Sequence, residues 1–152
     1  MRNLIFGAGL TVALCATALA QDGPVIQIDQ LAKTSTSWDG TELPAYGDGK
    51  PEITVIRATI PPGGEFPNHK HPTINAGVLL SGSLTVMTED GDTLSLGAGD
   101  ALIEVVEQWH YGKNNGKVPA EIVVFYAGTV GQPITISTPE RDVEEANREA
   151  KK

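Results

Sequence analysis

The sequence contains little cysteine, few aromatic residues and few histidines. Its 152 residues include a single cysteine, Cys15, and aromatic residues make up 5% of the chain. A single cysteine excludes an internal disulfide and a cluster of thiolate metal ligands. Only three histidines are present, so any histidine-based metal site must draw on His69, His71 and His110.

Basic residues are also scarce. The chain has 11 Lys and Arg residues against 19 Asp and Glu residues, and its net charge is −8. Such a chain repels phosphate backbones and anionic lipid surfaces, so we expect no nucleic-acid partner. Hydrophobic residues make up 40% of the sequence, which is enough for a packed core in one domain of roughly 150 residues.

Glycine and proline, in contrast, are abundant, with 17 and 10 residues. Frequent turn residues favour many short strands over a helical bundle. β-Branched and alternating segments predict strands over 53–60, 74–81, 83–89, 93–96, 101–106 and 122–127, with edge strands over 25–28 and 133–137. Asp90-Gly91 between two alternating segments is a strong hairpin signal. The sequence therefore predicts an all-β fold, either a small antiparallel barrel or a jelly roll.

The first twenty residues have the pattern of a targeting segment. Arg2 precedes an apolar stretch, and Ala18-Leu19-Ala20 matches the small-x-small pattern of a cleavage site. The apolar run is short for a membrane span and lacks a basic flank on its far side. We expect residues 1–20 to be a cleaved signal peptide, with secretion to the bacterial periplasm and no membrane contact afterwards. An uncleaved anchor is the alternative.

The rest of the chain divides into three predicted parts. Residues 21–50 contain the N-terminal edge strand and turns, and residues 51–138 contain the barrel. Residues 139–152 form a polar tail, for which Thr138 is a suitable helix N-cap. Its apolar stripe is thin, so a short polar helix and a frayed end both stay open.

His69 and His71 are separated by one residue, Lys70. On a strand, such residues lie on one face about 6.6 Å apart, and their rings can converge on one ion. Pro72 favours this reading, because a residue before proline is pushed out of helical conformation. Lys70 would then point away from the site. The alternative is that both histidines are surface residues in a polar loop.

The surrounding residues add a spacing pattern to the pair. The segment Gly63-x5-His69-x-His71-x3-Asn75-x6-Gly82 resembles the first motif of the cupin superfamily. The family pattern has glutamate at the position of Asn75. The chain is accordingly identified as similar to small single-domain cupins of the cupin 2 type.

A second pattern lies downstream. Gly99-Asp100 followed by His110-x3-Asn114 resembles the second cupin motif, in which proline is common at the position of Gly97. Cupins are antiparallel jelly-roll barrels, so the resemblance implies the same fold here. It also implies that Asp100 and Asn114 stabilise turns.

The resemblance further implies one divalent metal inside the barrel. Its ligands would be His69, His71 and His110, and Asn75 would bind weakly or through a water molecule in the slot of the usual carboxylate. Three neutral imidazoles would leave the full charge on the ion, which favours an anionic ligand. Such a donor set suits Fe, Zn, Mn, Ni or Cu.

Two residues are candidates for acid–base chemistry. Glu104 interrupts an apolar strand that leads to His110, and a buried carboxyl there would have a raised pKa and could shuttle protons. An outward position at an exposed edge is its alternative. Tyr111 is the second candidate, although it follows His110 directly and would face the opposite side of a strand.

Three functions are consistent with these observations. The first is a periplasmic metal-dependent enzyme acting on a small polar or anionic molecule, either dioxygenase-like or a non-oxidative lyase or isomerase. The second is a non-catalytic module that binds a small ligand or the metal itself. The third is a structural role through a homodimer, since cupin strands often extend between protomers.

Overall fold

The computed structural model describes residues 24–137, which contain nine strands and no helix. The predicted signal peptide at 1–20 and the predicted helix or tail at 139–152 lie outside the described residues. The strands are β1 (Pro51–Ile60), β2 (His69–Lys70), β3 (Ile74–Ser81), β4 (Ser83–Thr88), β5 (Thr93–Gly97), β6 (Ala101–Ile103), β7 (His110–Lys113), β8 (Ala120–Thr129) and β9 (Ile136–Ser137). Within this range no helix is available to cross a membrane.

The strands form two antiparallel sheets. The first has the order β1-β8-β3-β6, and the second has the order β5-β4-β7-β2-β9. Strands from both sheets contribute buried side chains to one core, so the sheets pack face to face. The structure thus confirms the predicted all-β antiparallel jelly roll.

Strand β8 shows why this sequence packs into a sandwich. Its alternate residues Ile122, Val124 and Tyr126 are buried in the core, whereas Glu121 and Phe125 lie on the outer face. A strand with this period presents one apolar face to the opposite sheet. Each fully buried side chain of this size contributes roughly 1.5–3 kcal/mol to folding.

Gly82 lets the chain pass from the first sheet to the second. It joins β3 to β4 with φ of +75°, and a Cβ atom there would lie 2.5 Å from the carbonyl oxygen of Pro119. That contact is with backbone, which cannot move aside as a flexible side chain would. The close approach therefore requires glycine at this turn.

The hairpin predicted around Asp90-Gly91 is formed by β4 and β5. Their register runs from Ser83 opposite Gly97 to Met87 opposite Thr93. Gly91 has φ of +99°, a conformation that glycine adopts without strain.

The edge strand predicted over 25–28 is not formed. Val25, Ile26 and Ile28 are 90%, 87% and 88% exposed, and no strand in residues 24–137 pairs with them. Apolar alternation alone does not make a strand, because an unpaired strand leaves its backbone groups without partners.

Two other predicted strands are shorter than expected. The strand predicted over 101–106 ends at Ile103, and the next carbonyl, that of Glu104, accepts a 2.8 Å hydrogen bond from the Ser37 hydroxyl. Glu107 then adopts φ of +58°, which turns the chain away from the sheet. The strand predicted over 133–137 is reduced to β9, which pairs with β2.

Candidate metal centre

The three histidines meet at one end of the barrel interior. Strands β2 and β7 pair so that His69 lies directly opposite His110, and His71 follows β2 at once. The ring centroids are 4.5 Å apart for His69 and His110, 4.8 Å for His69 and His71, and 5.1 Å for His71 and His110. Their potential ligand atoms all lie within 4.8 Å of one another. The three rings thus form a group that fits a metal site.

Each imidazole is oriented by a main-chain carbonyl. The Nδ1 atoms of His69, His71 and His110 donate hydrogen bonds of 2.7, 2.7 and 2.9 Å to the carbonyl oxygens of Pro67, Ile134 and Gln108. A carbonyl oxygen can only accept, so the proton lies on Nδ1 and the lone pair lies on Nε2. Metal-binding histidines are commonly fixed in this way.

Burial keeps the three rings neutral. It lowers the pKa of His71 to about 3 and that of His110 to about 4, and it also lowers the pKa of His69. The backbone acceptors oppose this effect only in part. Neutral imidazole is the form that binds a metal, so protons compete weakly for these ligands near neutral pH.

A buried carboxyl group stands beside the histidines. The Oε2 atom of Glu104 lies 3.5 Å from Nε2 of His110, and Glu104 is 8% exposed. Burial raises the pKa of Glu104 to about 8 and lowers the pKa of His110. Both groups therefore favour their neutral forms, and the contact between them is not an ion pair of two charged groups. Within the described residues neither atom has a hydrogen-bond partner.

Unpaired buried polar atoms are costly, so two that converge favour the binding of a cation or a donor by both. The donor set is three imidazole nitrogens with a carboxyl oxygen nearby, which suits a divalent transition metal. The residues present therefore fit the metal that the family resemblance implies.

A cavity of about 270 Å³ extends from the histidines between the sheets. Its polar end carries the three histidines, Glu104 and Tyr126. Its remaining walls are mainly aliphatic, formed by Ile56, Ala58, Leu84, Val86, Ile122 and Val124. Among residues 24–137, no lysine or arginine lines this cavity.

Comparison with known families agrees with this architecture. The Cupin domain family matches residues 56–126, a range that contains all three histidines. Residues 56–126 form a cupin domain. No curated protein matches this cupin by sequence.

Solved structures show the same fold. An oxalate oxidase in complex with the substrate analogue glycolate aligns with a TM-score of 0.50 and 23% identity, over 63% of this chain and 56% of that chain. A Lactobacillus farciminis oxalate decarboxylase formate complex aligns with a TM-score of 0.52 and 22% identity, over 60% of this chain and 28% of that chain. The cupin thus spans about half or less of these proteins, and the likeness concerns the fold.

Asn75 is buried in the cupin but does not reach the cavity wall. It is 0% exposed, and its Nδ2 donates a 3.4 Å hydrogen bond to the carbonyl oxygen of Thr73. Gly77 and Leu79, the next inward positions on β3, are also buried, as strand alternation predicts. A Cβ atom on Gly77 would contact the side chains of Ile122 and Val124. Gly77 therefore makes room for these cavity-wall side chains and does not open space at the histidines.

Tyr111 does not join the site. It is the neighbour of His110 on β7, and its hydroxyl donates a 3.3 Å hydrogen bond to the sulfur of Met87. Strand alternation turns the Tyr111 side chain away from the cavity, so it does not take the acid–base position considered for it from the sequence. Lys70 also points away, as expected, and its Nζ lies 3.0 Å from Glu107.

Asp100 and Asn114 hold turns in place. The Asp100 carboxylate accepts a 2.7 Å hydrogen bond from the Gly97 amide. Asn114 donates to the carbonyls of Ile60 and Val118 at 3.0 and 2.8 Å. These contacts are the stabilising roles that the family resemblance implies.

Tyr126 is a site residue that lies outside both cupin motifs. It lies opposite Asn75 in the β3–β8 register, and its ring centroid is 5.4 Å from that of His71. Burial and the nearby Glu104 raise the pKa of its hydroxyl to about 12, so the phenol stays protonated. Only the register of two strands distant in sequence could reveal this placement.

Proposed function

We propose that this cupin is a periplasmic metalloenzyme acting on a small molecule with an anionic or polar head. The observation that carries the proposal is the group of three buried, neutral imidazoles whose Nε2 atoms are left for a ligand at one end of a cavity. A metal held there would supply a Lewis-acidic or redox-active centre. Dioxygenase-like chemistry and non-oxidative lyase or isomerase chemistry are both consistent with this donor set.

The cavity walls define the rest of the substrate. Aliphatic side chains cover most of the interior, and no lysine or arginine of residues 24–137 lines it. A small dianion would bring two charges into a site whose only cationic partner would be the metal. The walls instead suit one ligating head joined to a compact apolar body, which would exclude water when bound.

Metal analysis of untagged protein purified from its native compartment tests the first step. Reconstitution with Fe, Zn, Mn, Ni or Cu, followed by oxygen-uptake measurements with diketones, thiols and catechols, tests the second. Turnover that depends on one metal and is lost in H110A supports the enzyme. Oxygen uptake supports dioxygenase-like chemistry, and product formation without it supports a lyase or isomerase.

A non-catalytic binding module is the second candidate, favoured by the aliphatic walls and by the small number of groups able to move a proton. A thermal-shift screen of the metal-loaded protein separates the two. Ligands that raise the melting temperature without being converted, across all five metals, support the binding module and contradict the enzyme.

We also propose a periplasmic location and a homodimer, and both are independent of the metal site. The location rests on the pattern in residues 1–20, and fractionation of cells expressing the full chain tests it. Sedimentation velocity of the purified protein tests the homodimer. Neither result changes the metal site.

A further inference from the structure

Glu104 occupies a position beside Asn75 across two neighbouring chain segments. Strand β3 pairs with β6 so that Ala76 is opposite Ile103, and the Glu104 amide then donates a 3.2 Å hydrogen bond to the Asn75 carbonyl. Residues opposite each other in an antiparallel pair project to the same face. Both side chains therefore enter the barrel interior, where Asn75 is 0% and Glu104 is 8% exposed.

Of these two side chains, Glu104 is the one that reaches the histidines. Its Oε2 lies 3.5 Å from His110 Nε2. The Asn75 Nδ2 donates instead to the Thr73 carbonyl, and the Asn75 Oδ1, which is also buried without a partner among residues 24–137, does not line the cavity. Two ligands bound to one tetrahedral ion at about 2.1 Å each lie about 3.4 Å apart. The separation between Glu104 and His110 matches that spacing, while the group of ligand atoms in residues 24–137 that all lie within 4.8 Å of one another consists of the three histidines.

The cavity supports the same choice. Glu104 is among the residues that line it, together with the three histidines, and its Oε2 has no hydrogen-bond partner in residues 24–137. A buried carboxyl without a partner is unfavourable unless a cation or donor meets it. Asn75, which takes the motif position of the usual carboxylate, does not line the cavity.

We propose that Glu104 is the fourth protein ligand of the metal, so that the carboxylate is supplied from the end of β6 in place of residue 75. This rests on the proposed metal site. It gives Glu104 a ligand role in place of the acid–base role expected from the sequence. It also lowers the net charge of the loaded site by one, which weakens the preference for an anionic ligand that three neutral imidazoles alone would give.

The test compares Co²⁺ binding by wild type, E104Q and N75A, measured by chelator competition and by visible absorption of the bound ion. We expect E104Q to bind Co²⁺ at least 10-fold more weakly and with an altered spectrum. N75A should keep both properties close to wild type. Wild-type affinity and spectrum in E104Q overturn the proposal, as does a loss in N75A that E104Q does not show.

E107Q is the matched control. Glu107 lies on the same segment, but its carboxylate contacts Lys70 on the outside of the site. Removal of this negative charge in E107Q should leave Co²⁺ affinity and the absorption spectrum unchanged. An equal loss in E107Q and E104Q would show a general charge effect and overturn the ligand assignment.

A second measurement needs no variant of Glu104. Wild type labelled with ¹³C at the glutamate side-chain carboxyls is titrated with Zn²⁺ and followed by NMR. One carboxyl resonance that shifts in step with binding, and that persists in E107Q, supports the proposal. The absence of any shifted carboxyl overturns it. Wild type that binds neither Co²⁺ nor Zn²⁺ overturns the metal site itself, which is a different failure.

Discussion

His69 and His110 lie directly opposite each other on β2 and β7, with ring centroids 4.5 Å apart. The pair joins the two halves of the site, because the residues come from motifs that are far apart in the sequence. The two-residue strand β2 also pairs with β9, which brings Ile134 and its carbonyl to His71. The orientation of the His71 ring therefore depends on the chain segment that leads into β9.

Removal of one of these rings should abolish tight metal binding. We expect H110A to bind Co²⁺ at least about 100-fold more weakly than wild type, because loss of a ligand exceeds the usual effect of an outer-shell change. Chelator competition measures the affinity. Y111F is the control, since the Tyr111 hydroxyl contacts Met87 outside the cavity and its loss should leave the affinity unchanged. A large loss in Y111F would contradict the placement of that side chain.

The buried carboxyl predicts a pH effect on stability of the chelator-treated protein. Burial raises the pKa of Glu104 to about 8 from 4.5, so the folded state holds its proton over this window while the unfolded state releases it. The associated stability is present below pH 4.5 and is lost as pH rises toward 8. Each pKa unit corresponds to about 1.4 kcal/mol.

Comparison with E104Q isolates this effect from the histidines, which titrate in both proteins. Urea unfolding at a pH of about 5 and again at about 8 should show E104Q gaining several kcal/mol relative to wild type at the higher pH. A difference that stays constant with pH would show that Glu104 does not titrate within this window.

Asn114 should be one of the most sensitive polar positions for folding. It is 0% exposed, and it donates to the carbonyls of Ile60 and Val118 while accepting from the Gly116 amide. Its removal leaves one buried and two part-buried backbone groups without these hydrogen bonds, so N114A should lower the free energy of unfolding by about 2–4 kcal/mol. N115A changes the exposed neighbour and should lower the free energy of unfolding by less than about 0.5 kcal/mol. Urea denaturation compares the two, and equal effects would contradict this account.

The aliphatic walls predict a ligand preference. A monocarboxylate with a short apolar chain should bind the metal-loaded protein more tightly than oxalate does. Burial of its chain contributes about 25 cal/mol of binding free energy per Å² of apolar surface. Calorimetric titration measures both affinities. Ala58 lines the cavity and pairs with Ile122, four residues along β8 from Tyr126. A58L should therefore weaken binding of the monocarboxylate about 10-fold and leave metal affinity unchanged. Tighter binding of oxalate by wild type would show that charge outweighs apolar contact.

Much of the fold follows from local pattern. Alternation along 122–127 and the Asp90-Gly91 turn predict β8 and the β4–β5 hairpin, because period and turn chemistry are local properties. The His-x-His spacing likewise predicts convergence of His69 and His71. The same rules fail at 25–28, where alternation is present but no described strand pairs with the segment.

The remainder of the site depends on register, which local sequence does not encode. Tyr126 belongs to the site because it lies opposite Asn75 on β8. Glu104 belongs to it because it directly follows β6 and continues the pairing with β3. A one-residue slip in either pairing would turn these side chains outward. The resemblance to the cupin motif directs attention to residue 75, whereas the three-dimensional pairing brings the neighbouring carboxyl to the histidines.

The carbonyl acceptors at Pro67, Ile134 and Gln108 belong to the peptide backbone, so replacing a side chain at any of these positions deletes none of them. The course of three loops therefore determines which imidazole nitrogen is left for a metal. Substitution of the Pro67, Ile134 or Gln108 side chain would keep each carbonyl acceptor. To change which nitrogen is left, a loop would have to be rebuilt.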